Sequence, residues 1–309
     1  MSDTPVEAAG TADATRCGFV AVIGAPNAGK STLVNALVGT KVSIVTPKAQ
    51  TTRTLVRGIA MFGRAQVVFI DTPGIFRPKH RLERAMVSAA WQGAGDAELT
   101  LMVLDAHRGL DGDSQAIIDQ LKKAERKVML ALNKTDAVEK PKLLELAAAL
   151  NATGIFTDIF MISAKTGDGL ETLKNELASR VPTGPWLFPE DDVSDMPGRL
   201  LAAEVTREKI FLNLRQELPY GCAVVTEGWD ERKDGSVRID QTILISRENH
   251  RPIVLGEKGQ KLKKIGASAR VELESLLGCR VHLFLHVKVD ENWRNNRGLF
   301  STWGLDFNA

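Results

Sequence analysis

Cysteine is scarce in this sequence, since only three of the 309 residues are cysteine. Cys17, Cys222 and Cys279 lie far apart and form no Cys-x-x-Cys pair, a pattern that argues against a disulfide framework and fits thiols in a reducing compartment. The sequence also lacks an apolar run long enough to span a bilayer, and its N-terminus lacks the apolar core of a secretory signal. These absences favour a cytoplasmic protein.

An excess of either charge is missing as well, since the formal net charge is only +2. Attraction of the whole molecule to nucleic acid or to a membrane is therefore not predicted, and any basic surface has to be local. With 44% hydrophobic and 25% charged residues, the composition is that of an ordinary globular protein. The length is sufficient for two domains that each bury a core.

Residues 17–180 alternate short apolar runs with helical patterns, which predicts an α/β domain with a mostly parallel sheet and helices on both faces. An antiparallel edge pair is predicted around Gly63, where two strand patterns meet at a tight turn. The runs predicted as central strands are CGFVAVIG, AQVVFIDTPG, LTLMVLDA, KVMLALNKTD and DIFMISAK. Each runs into a polar motif at its carboxyl end, the edge at which open α/β sheets bind ligands.

The rest of the chain divides at a proline-rich, acidic stretch. Residues 181–198 show neither helical nor strand periodicity and are predicted as a linker. Residues 199–309 are predicted as an α+β domain with the order helix, strand, strand, helix, GxxG turn, helix, strand. Its sheet is expected to bury one face, because residues of one parity are apolar in VRIDQTILIS and in RVHLFLHVKV. Residues 1–16 are small and polar and are predicted as a disordered tail.

A glycine-rich loop follows the first strand. Its sequence, GAPNAGKS, has the spacing G-x-x-x-x-G-K-[ST] between a strand and a helix. In such a loop the backbone amides and the start of the helix bind phosphate, the lysine reaches the β- and γ-phosphates, and the hydroxyl ligates Mg²⁺. The predicted nucleotide-binding residues here are Gly24, Asn27, Ala28, Gly29, Lys30, Ser31 and Thr32.

Two later motifs predict that the base is guanine. The carboxylate of Asp136 can accept both hydrogens that guanine offers from N1 and N2, and adenine presents no such pair. Asn133 is expected to tie this loop to the phosphate loop, while the aliphatic stem of Lys134 lies against the base. The amide of Ala164 is expected to bind guanine O6. The motifs NKTD and SAK thus add Asn133, Lys134, Asp136, Ser163, Ala164 and Lys165 to the site.

Two segments between these motifs are predicted to sense the γ-phosphate. Asp71 of DTPG would hold Mg²⁺ and the amide of Gly74 would contact the γ-phosphate, so that loss of this phosphate releases the loop. Thr52 of QTTR is the predicted switch threonine on Mg²⁺, with Thr51 as the alternative. The predicted metal ligands are Ser31, Thr52 and Asp71, and the predicted catalytic residues are Lys30, Thr52 and Gly74.

The residue after DTPG is Ile75, where Ras-type GTPases place a glutamine that orients the attacking water. Isoleucine can neither orient nor deprotonate water, so slow intrinsic hydrolysis is expected. Backbone groups, a cation or a residue of a partner would have to position the water. Asn27 is a candidate ligand for K⁺, which would supply positive charge near the bridge between the β- and γ-phosphates.

A second glycine turn, GEKG, lies among lysines near the C-terminus. A helix–GxxG–helix unit flanked by strands is how a KH module holds about four nucleotides of single-stranded RNA. A solvated lysine-rich helix and contact with anionic lipid are the alternatives. Trp293 and Trp303 either stack on bases or close over the edge of the sheet. The predicted RNA-binding residues are Gly256, Glu257, Lys258, Gly259, Lys261 and Lys264.

In this order, GAPNAGKS, QTTR, DTPG, NKTD, SAK and GEKG resemble the Era family of bacterial GTPases, from Cys17 to the end of the chain. The resemblance implies a Ras-like P-loop GTPase domain followed by a type II KH domain, with GTP, GDP and Mg²⁺ as ligands. It further implies a monomer that binds the 3′ end of 16S rRNA and helps to mature the 30S ribosomal subunit. GTP would favour RNA binding and hydrolysis would favour release. Glu257 departs from the basic or neutral residue expected in the KH turn.

The alternative function is a membrane-associated switch that couples growth or cell division to the GTP level. The resemblance also implies peripheral association with the inner membrane. In that case lipid would compete with RNA for Lys258 and Lys261.

Overall fold

The computed structural model describes residues 14–309, so most of the predicted tail lies outside the described residues. Strand β1 (Arg16–Ile23) begins one residue before the predicted limit of the first domain. Thr15 accepts a hydrogen bond from the amide of Gly184 at 3.0 Å and donates its hydroxyl to the Gly184 carbonyl at 2.9 Å. The last residues of the predicted tail therefore belong to the folded domain, because they pair with the segment that follows it.

The N-terminal domain is a six-stranded sheet with helices on both faces, as predicted. The strand order is β2-β3-β1-β4-β5-β6, and only β2 runs antiparallel to its neighbour. The remaining strands are β2 (Val56–Phe62), β3 (Ala65–Asp71), β4 (Leu99–Asp105), β5 (Val128–Asn133) and β6 (Phe156–Met161). The helices are α1 (Lys30–Val38), α2 (Arg81–Asp96), α3 (Gly112–Lys123), α4 (Lys140–Asn151) and α5 (Leu170–Arg180).

Two hydrophobic cores cover the faces of this sheet. One core packs α1 and α5 against it, and the other packs α2, α3 and α4. The central strands are apolar on both faces for this reason, as is usual for parallel sheets. Because β1, β3, β4 and β5 are parallel, the loops after their carboxyl ends meet at one edge of the domain.

The C-terminal domain has the predicted order of elements. Its sheet has the order β7-β8-β9, with β7 antiparallel and β9 parallel to β8. A short turn of 3₁₀ helix at Glu257–Gly259 separates α7 from α8. The elements are α6 (Gly198–Asn213), β7 (Cys222–Glu231), β8 (Val237–Ile245), α7 (Arg251–Leu255), α8 (Gln260–Leu277), β9 (Val281–Val289) and α9 (Arg297–Thr302).

The one-sided burial expected for this sheet holds for only part of it. Val237 and Ile239 are buried while Arg238 between them is exposed. Further along β8, Thr242 and Leu244 are also buried, although they face the other side. The C-terminal segment covers that side, since Leu244 packs in one hydrophobic cluster with residues of α9.

Trp293 and Trp303 are part of this cluster. Trp293 is fully buried and Trp303 is 5% exposed, and their rings meet edge to face with centroids 6.3 Å apart. The cluster also contains Leu82 and Met86 of α2, so it joins the two domains. Of the two alternatives for these tryptophans, the structure therefore supports closure over the sheet and not stacking on bases, because their rings are already covered by protein.

The linker is bound along the edge of the first sheet. Val193 accepts a hydrogen bond from the amide of Ile59 in β2 at 2.9 Å, and Ser194 donates its hydroxyl to the Arg57 carbonyl at 2.7 Å. The side chain of Gln66 holds the stretch 187–188 through both amides and one carbonyl. We call residues 186–195 the edge strap. Helix α6 then begins at Gly198, one residue before the predicted limit of the second domain.

Candidate nucleotide site and nucleic-acid groove

The phosphate loop joins β1 to α1, and its end glycines are required by their surroundings. Gly24 and Gly29 have φ angles of 151° and 100°. A Cβ on Gly24 would lie 2.3 Å from the carbonyl oxygen of Val103, and one on Gly29 would lie 2.3 Å from Nδ2 of Asn133. The loop can therefore pack against β4 and against the NKTD loop only with glycine at both positions. This packing fixes the start of α1 at Lys30, and the N-terminus of a helix can bind an anion.

Lys30 folds back over the loop. Its ammonium donates to the carbonyls of Gly24 and Ala25 at 3.0 and 3.1 Å, and the residue is 6% exposed. Burial lowers the pKa of Lys30 to about 8, and the nearby carboxylate of Asp71 opposes this shift. A phosphate oxygen at this point would replace the two carbonyls and favour the charged form of the lysine.

The three predicted metal ligands lie together. The Ser31 hydroxyl donates to Asp71 Oδ2 at 2.6 Å and lies 2.9 Å from the Thr52 hydroxyl, which is 3.5 Å from the same carboxylate oxygen. The other oxygen of Asp71, Oδ1, is buried without a hydrogen-bond partner within residues 14–309. Burial raises the pKa of Asp71. Two hydroxyls and a carboxylate with an orphaned oxygen fit Mg²⁺, a hard cation that prefers oxygen ligands.

The geometry favours Thr52 over Thr51. The hydroxyl of Thr51 lies 2.6 Å from that of Thr46 and donates to the Lys48 carbonyl at 2.7 Å. It is thereby used within its own loop, which we call the switch segment (residues 40–53). This segment and the phosphate loop enclose a cavity of about 60 Å³. Thr52 lines it from the switch segment, and Thr32 and Gly74 line it as well.

Gly74 and Ile75 face in different directions. Gly74 lies against the phosphate loop, where a Cβ would be 3.0 Å from Pro26. Ile75 is 6% exposed and packs in the core with Ile23, and its amide donates to the Gly24 carbonyl at 3.1 Å. The side chain that follows DTPG thus points away from the nucleotide, so it takes no part in orienting water.

The NKTD loop is tied to the phosphate loop as predicted. Asn133 donates from Nδ2 to the Ala28 carbonyl at 2.9 Å, and the ammonium of Lys134 donates to the Asn27 carbonyl at 2.8 Å. The ammonium also donates to Asp105 Oδ2 at 2.6 Å. Sequence reasoning missed Asp105, although an acid that ends the apolar run LTLMVLDA was a usable signal, because such an acid stands at the ligand edge of the sheet.

The structure modifies the roles expected for the base-binding residues. Asp136 is exposed and accepts a hydrogen bond from the Ser163 hydroxyl at 2.7 Å, which fixes its carboxylate. The amide of Ala164 already donates to Asn133 Oδ1 at 3.0 Å. It is therefore not free for guanine O6 in this structure, and O6 would have to share or displace that bond. Asn27 uses its side-chain amide on the Pro47 carbonyl at 3.2 Å, and its role towards K⁺ stays a prediction.

Helix α6 holds the switch segment. Lys41 forms an ion pair with Glu208 at 2.7 Å and a second one with Glu272 of α8, and the amide of Val45 donates to Glu208 at 2.8 Å. Arg207 donates to the Thr51 carbonyl. The second domain is thereby attached to the loop that carries the predicted switch threonine.

The GEKG turn is tightly packed at its first glycine and open at its second. Gly256 has a φ of 71°, and a Cβ there would lie 2.6 Å from the Cβ of Lys261. Gly259 has a φ of 76° and precedes the first residue of α8, and nothing lies within 4 Å of a Cβ placed on it. The backbone of this turn is therefore accessible to a ligand at Gly259. Glu257 and Lys258, between the glycines, are exposed.

The cations around this turn differ in their partners. Arg251 pairs with Glu248 at 3.5 Å, and Arg270 pairs with Glu274 at 3.1 Å. The lysines form no ion pair or hydrogen bond through their side chains within the described part of the chain. These unpaired lysines are Lys258, Lys261, Lys263 and Lys264.

A groove of about 1620 Å³ lies beside the turn. Ile253 and Lys261 line it, as do Leu218 and Gly221 at the two ends of the 3₁₀ turn Leu218–Gly221. Ile253 is 49% exposed and offers an apolar surface to a base. Sequence reasoning missed the arginines of this groove because they come from three separate segments, and each stands alone in the sequence. They are Arg215, Arg247 and Arg294.

Comparisons with known proteins identify both halves of the chain. Residues 19–134 match the family described as 50S ribosome-binding GTPase, and residues 217–294 match the KH domain. GTPase Era of Caulobacter vibrioides is 55% identical over 97% of this chain and 99% of its own length. The chain belongs to the Era family of GTPases. GTPase Era of Brucella suis is also similar, at 57% identity over 95% of this chain and 94% of its own length.

Two solved Era structures have the same overall fold. One is Era in complex with MgGDPNP and nucleotides 1506–1542 of 16S ribosomal RNA, with a TM-score of 0.89 and 39% identity. The other is a variant of Aquifex aeolicus Era bound to GDP and AlF₄⁻, with the same TM-score and identity. Each comparison covers 94% of this chain and 99% of the solved chain. In the part of this chain that the structure describes, no helix is both long and apolar enough to cross a membrane.

Proposed function

We propose that this GTPase is a nucleotide-dependent switch that binds the 3′ end of 16S rRNA through its KH groove and assists maturation of the 30S subunit. One observation carries the proposal. The switch segment contacts the phosphate site through Thr52, and it is also held by Arg207 of the domain that bears the unpaired lysines. The Era complex with an rRNA segment, at 39% identity, supports the choice of RNA.

For the nucleotide site, we assign each residue one task. Lys30 exchanges its two carbonyl partners for β- and γ-phosphate oxygens, and the Gly74 amide donates to the γ-phosphate. When bound, Mg²⁺ neutralises charge that develops on the phosphate oxygens. Ser31, Thr52 and Asp71 would hold it.

The same arrangement would make intrinsic hydrolysis slow. Ile75 is packed in the core, so no side chain at that position orients the attacking water. The catalytic contribution of this chain then rests on three groups that stabilise charge. They are the ammonium of Lys30, the hydroxyl of Thr52 and the backbone amide of Gly74. Asp136 would select guanine through N1 and N2, with Ser163 holding its carboxylate in place.

For the RNA site, we assign phosphate contact to the glycine turn and its lysines. The backbone at Gly256 and Gly259 approaches phosphate, and Lys258, Lys261 and Lys264 supply charge. Glu257 is exposed beside them and weakens this attraction, which makes the turn less basic than its lysine count indicates.

The wider setting is also a proposal. We assign residues 17–180 to the GTPase domain, 181–198 to the linker and 199–309 to the KH domain, and we expect a cytoplasmic monomer. Peripheral association with the inner membrane would use the same unpaired lysines, so lipid and RNA would exclude one another.

Cross-linking in cells with sequencing of the bound RNA tests this function. Gly259→Asp places a negative side chain where phosphate must approach. Gly235→Asp is the matched control, because Gly235 also has a positive φ and open surroundings but lies in the β7–β8 hairpin. A peak at the 3′ end of 16S rRNA that only Gly259→Asp abolishes supports the proposal. A diffuse profile that neither variant changes rejects it.

A further inference from the structure

Arg53, the residue after Thr52, has its charged group inside the KH domain. It is only 2% exposed. Its guanidinium donates to the carbonyls of Cys222 and Tyr220 at 2.9 and 3.4 Å and lies 5.4 Å from the centre of the Trp293 ring. Two neighbouring residues of the switch segment thus have partners in different domains.

These contacts resist separation. If the guanidinium moved away alone, the buried carbonyls would lose their hydrogen-bond donor. If the carbonyls moved away alone, the buried guanidinium would keep its charge without a partner. Both changes are costly. Arg53 and the backbone that it holds are therefore expected to move together.

That backbone forms one wall of the RNA groove. The turn Leu218–Gly221 and Arg294 both line the groove. Arg294 donates to the Tyr220 carbonyl at 3.0 Å, and Trp293 donates to the Gly221 carbonyl at 3.2 Å. Arg53 shares the Tyr220 carbonyl with Arg294, so the position of this wall depends on a residue of the GTPase domain.

The other end of the connection is the metal site. Thr52 lies 2.9 Å from the Ser31 hydroxyl. Consecutive Cα atoms are held about 3.8 Å apart by the trans peptide bond. A displacement of Thr52 is therefore passed to Arg53 through one peptide unit.

The junction has room for such a movement. A cavity of about 450 Å³ lies between the switch segment, the start of α2 and the groove wall. Gln50, Arg53, His80, Glu217 and Tyr220 line it. The guanidinium and the Tyr220 and Cys222 carbonyls that it binds can therefore shift together into this space.

We propose that Arg53 is a positioning residue that couples the nucleotide-dependent position of Thr52 to the shape of the RNA groove. The inference rests on the proposed function, since it presupposes that GTP strengthens RNA binding. It differs from a purely structural role for Arg53, which would stabilise the domain interface equally in both nucleotide states.

The decisive quantity is a ratio of dissociation constants. The Kd for an oligonucleotide with the 3′-terminal sequence of 16S rRNA is measured on full-length protein saturated with GDP and with a non-hydrolysable GTP analogue. We expect a GDP-to-analogue ratio of about tenfold in the wild type, within the usual range of allosteric coupling. In Arg53→Met, which keeps an unbranched apolar stem but removes the charge and the donors, the ratio is expected to fall to about one.

A matched variant separates coupling from damage to the groove. Arg294→Met removes the second donor to the Tyr220 carbonyl but leaves the switch segment untouched. It should weaken RNA binding in both nucleotide states by the same factor, so that the ratio stays at the wild-type value. If the ratio of Kd values fell to about one in Arg294→Met as well as in Arg53→Met, any damage to the groove would be enough to remove it. The inference would then be rejected.

The outcomes for Arg53 distinguish the two proposals. A wild-type ratio near one overturns both nucleotide dependence and the inference. A large wild-type ratio that Arg53→Met retains overturns the inference alone. Should Arg53→Met fail to fold, Arg53→Gln, which keeps a donor, is measured in the same way.

Hydrogen exchange on the wild type gives a test that needs no variant. The amides of residues 218–222 should exchange more slowly with the GTP analogue bound than with GDP bound, in the absence of RNA. Equal exchange in the two states would contradict the inference, because the groove wall would then be insensitive to the nucleotide.

Discussion

The phosphate loop and the GEKG turn both use glycine to bring backbone close to phosphate, yet the surroundings of Gly259 in the turn are the opposite of those of the phosphate-loop glycines. In the phosphate loop a Cβ at Gly24 or Gly29 would meet a neighbouring atom at 2.3 Å, and Lys30 is buried with two carbonyl partners. In the GEKG turn a Cβ at Gly259 would meet nothing within 4 Å. The nearby lysines are unpaired within residues 14–309.

This difference indicates two ways of binding phosphate. The first site is preorganised by packing, so its affinity depends on shape and on buried hydrogen bonds. The second is open and depends on charge, so its affinity depends on salt. A buried site suits recognition of one small molecule, whereas an open basic groove suits a long polyanion that enters from the side.

The largest expected effect is at Gly29. In Gly29→Ala the added methyl must displace the side chain of Asn133, and with it the connection between the two nucleotide loops. We expect GTP affinity to fall by about 100-fold or more, as for the loss of two buried hydrogen bonds, measured with a fluorescent GTP analogue. Gly39→Ala is the control, because Gly39 also has a positive φ but open surroundings at the other end of α1. A loss below tenfold in Gly29→Ala would show that the loop is less tightly packed than described.

The next largest effect is expected from salt, which should weaken RNA binding more than GTP binding. If Lys258, Lys261 and Lys264 each contact a phosphate, raising monovalent salt from about 50 to 200 mM should weaken RNA binding by about 20-fold. GTP affinity should change much less, since buried pairs are weakly screened.

The lysines can be tested one at a time by this route. Lys264→Gln should reduce the slope of log K against log salt by about 0.7, whereas Lys140→Gln, on α4 of the other domain, should leave it unchanged. Equal slopes in both variants would exclude Lys264 from the phosphate contacts.

A smaller effect is expected at Gly259. Its φ of 76° is unfavourable for alanine, but a methyl group would meet no neighbour. Because the free turn is open, it can relax away from this angle in the variant, and recovering the angle on binding costs about 1 kcal/mol. The RNA affinity should therefore fall by about fivefold. Gly235→Ala supplies the same kind of strain in a hairpin outside the groove, and it should leave RNA affinity unchanged. A 100-fold loss in Gly259→Ala would place this turn among the packed sites and remove the contrast with Gly29.

The smallest expected effect is the uptake of protons by Lys30 when GTP binds. With the pKa of Lys30 near 8 in the free protein, this lysine is about half neutral at pH 8, and bound phosphate restores its charge. GTP binding at pH 8 should therefore take up about half a proton, and affinity should fall about twofold from pH 7 to pH 8.

Calorimetry in buffers of different ionisation enthalpy measures this uptake. Lys30→Arg should abolish it, because arginine remains protonated at pH 8. Proton uptake that persists in Lys30→Arg would show that another group titrates on binding.

The sequence was sufficient for the fold and for most of the nucleotide site, because both depend on local patterns. Each central strand is a continuous apolar run, and each site motif directly follows one, so the meeting of Lys30, Asp71 and Asn133 at one edge follows from a parallel sheet. The choice between Thr51 and Thr52 needed the structure, since adjacent hydroxyls have the same composition and differ only in their partners.

Contacts between the two domains could not be predicted. Nothing near Arg53 in the sequence indicates that its guanidinium lies against Trp293, which is 240 residues later, or that both tryptophans of the tail are buried. The occupied amide of Ala164 was missed for a related reason: the partner of a backbone donor is decided by side-chain packing. The contacts of Arg53 and of the two tryptophans depend on how the two domains meet, and hydrophobic periodicity carries no information about that.

The edge strap has a consequence for the order in which the protein is made. The six strands of the first domain are complete at Met161, but the amide of Ile59 on the outer strand has to wait for Val193. At about 5 to 20 residues per second, a ribosome takes roughly 2 to 6 seconds to add the intervening segment. Throughout this interval the nascent domain exposes a free strand edge, the feature that promotes pairing with another chain. The interval ends when the acidic linker closes that edge.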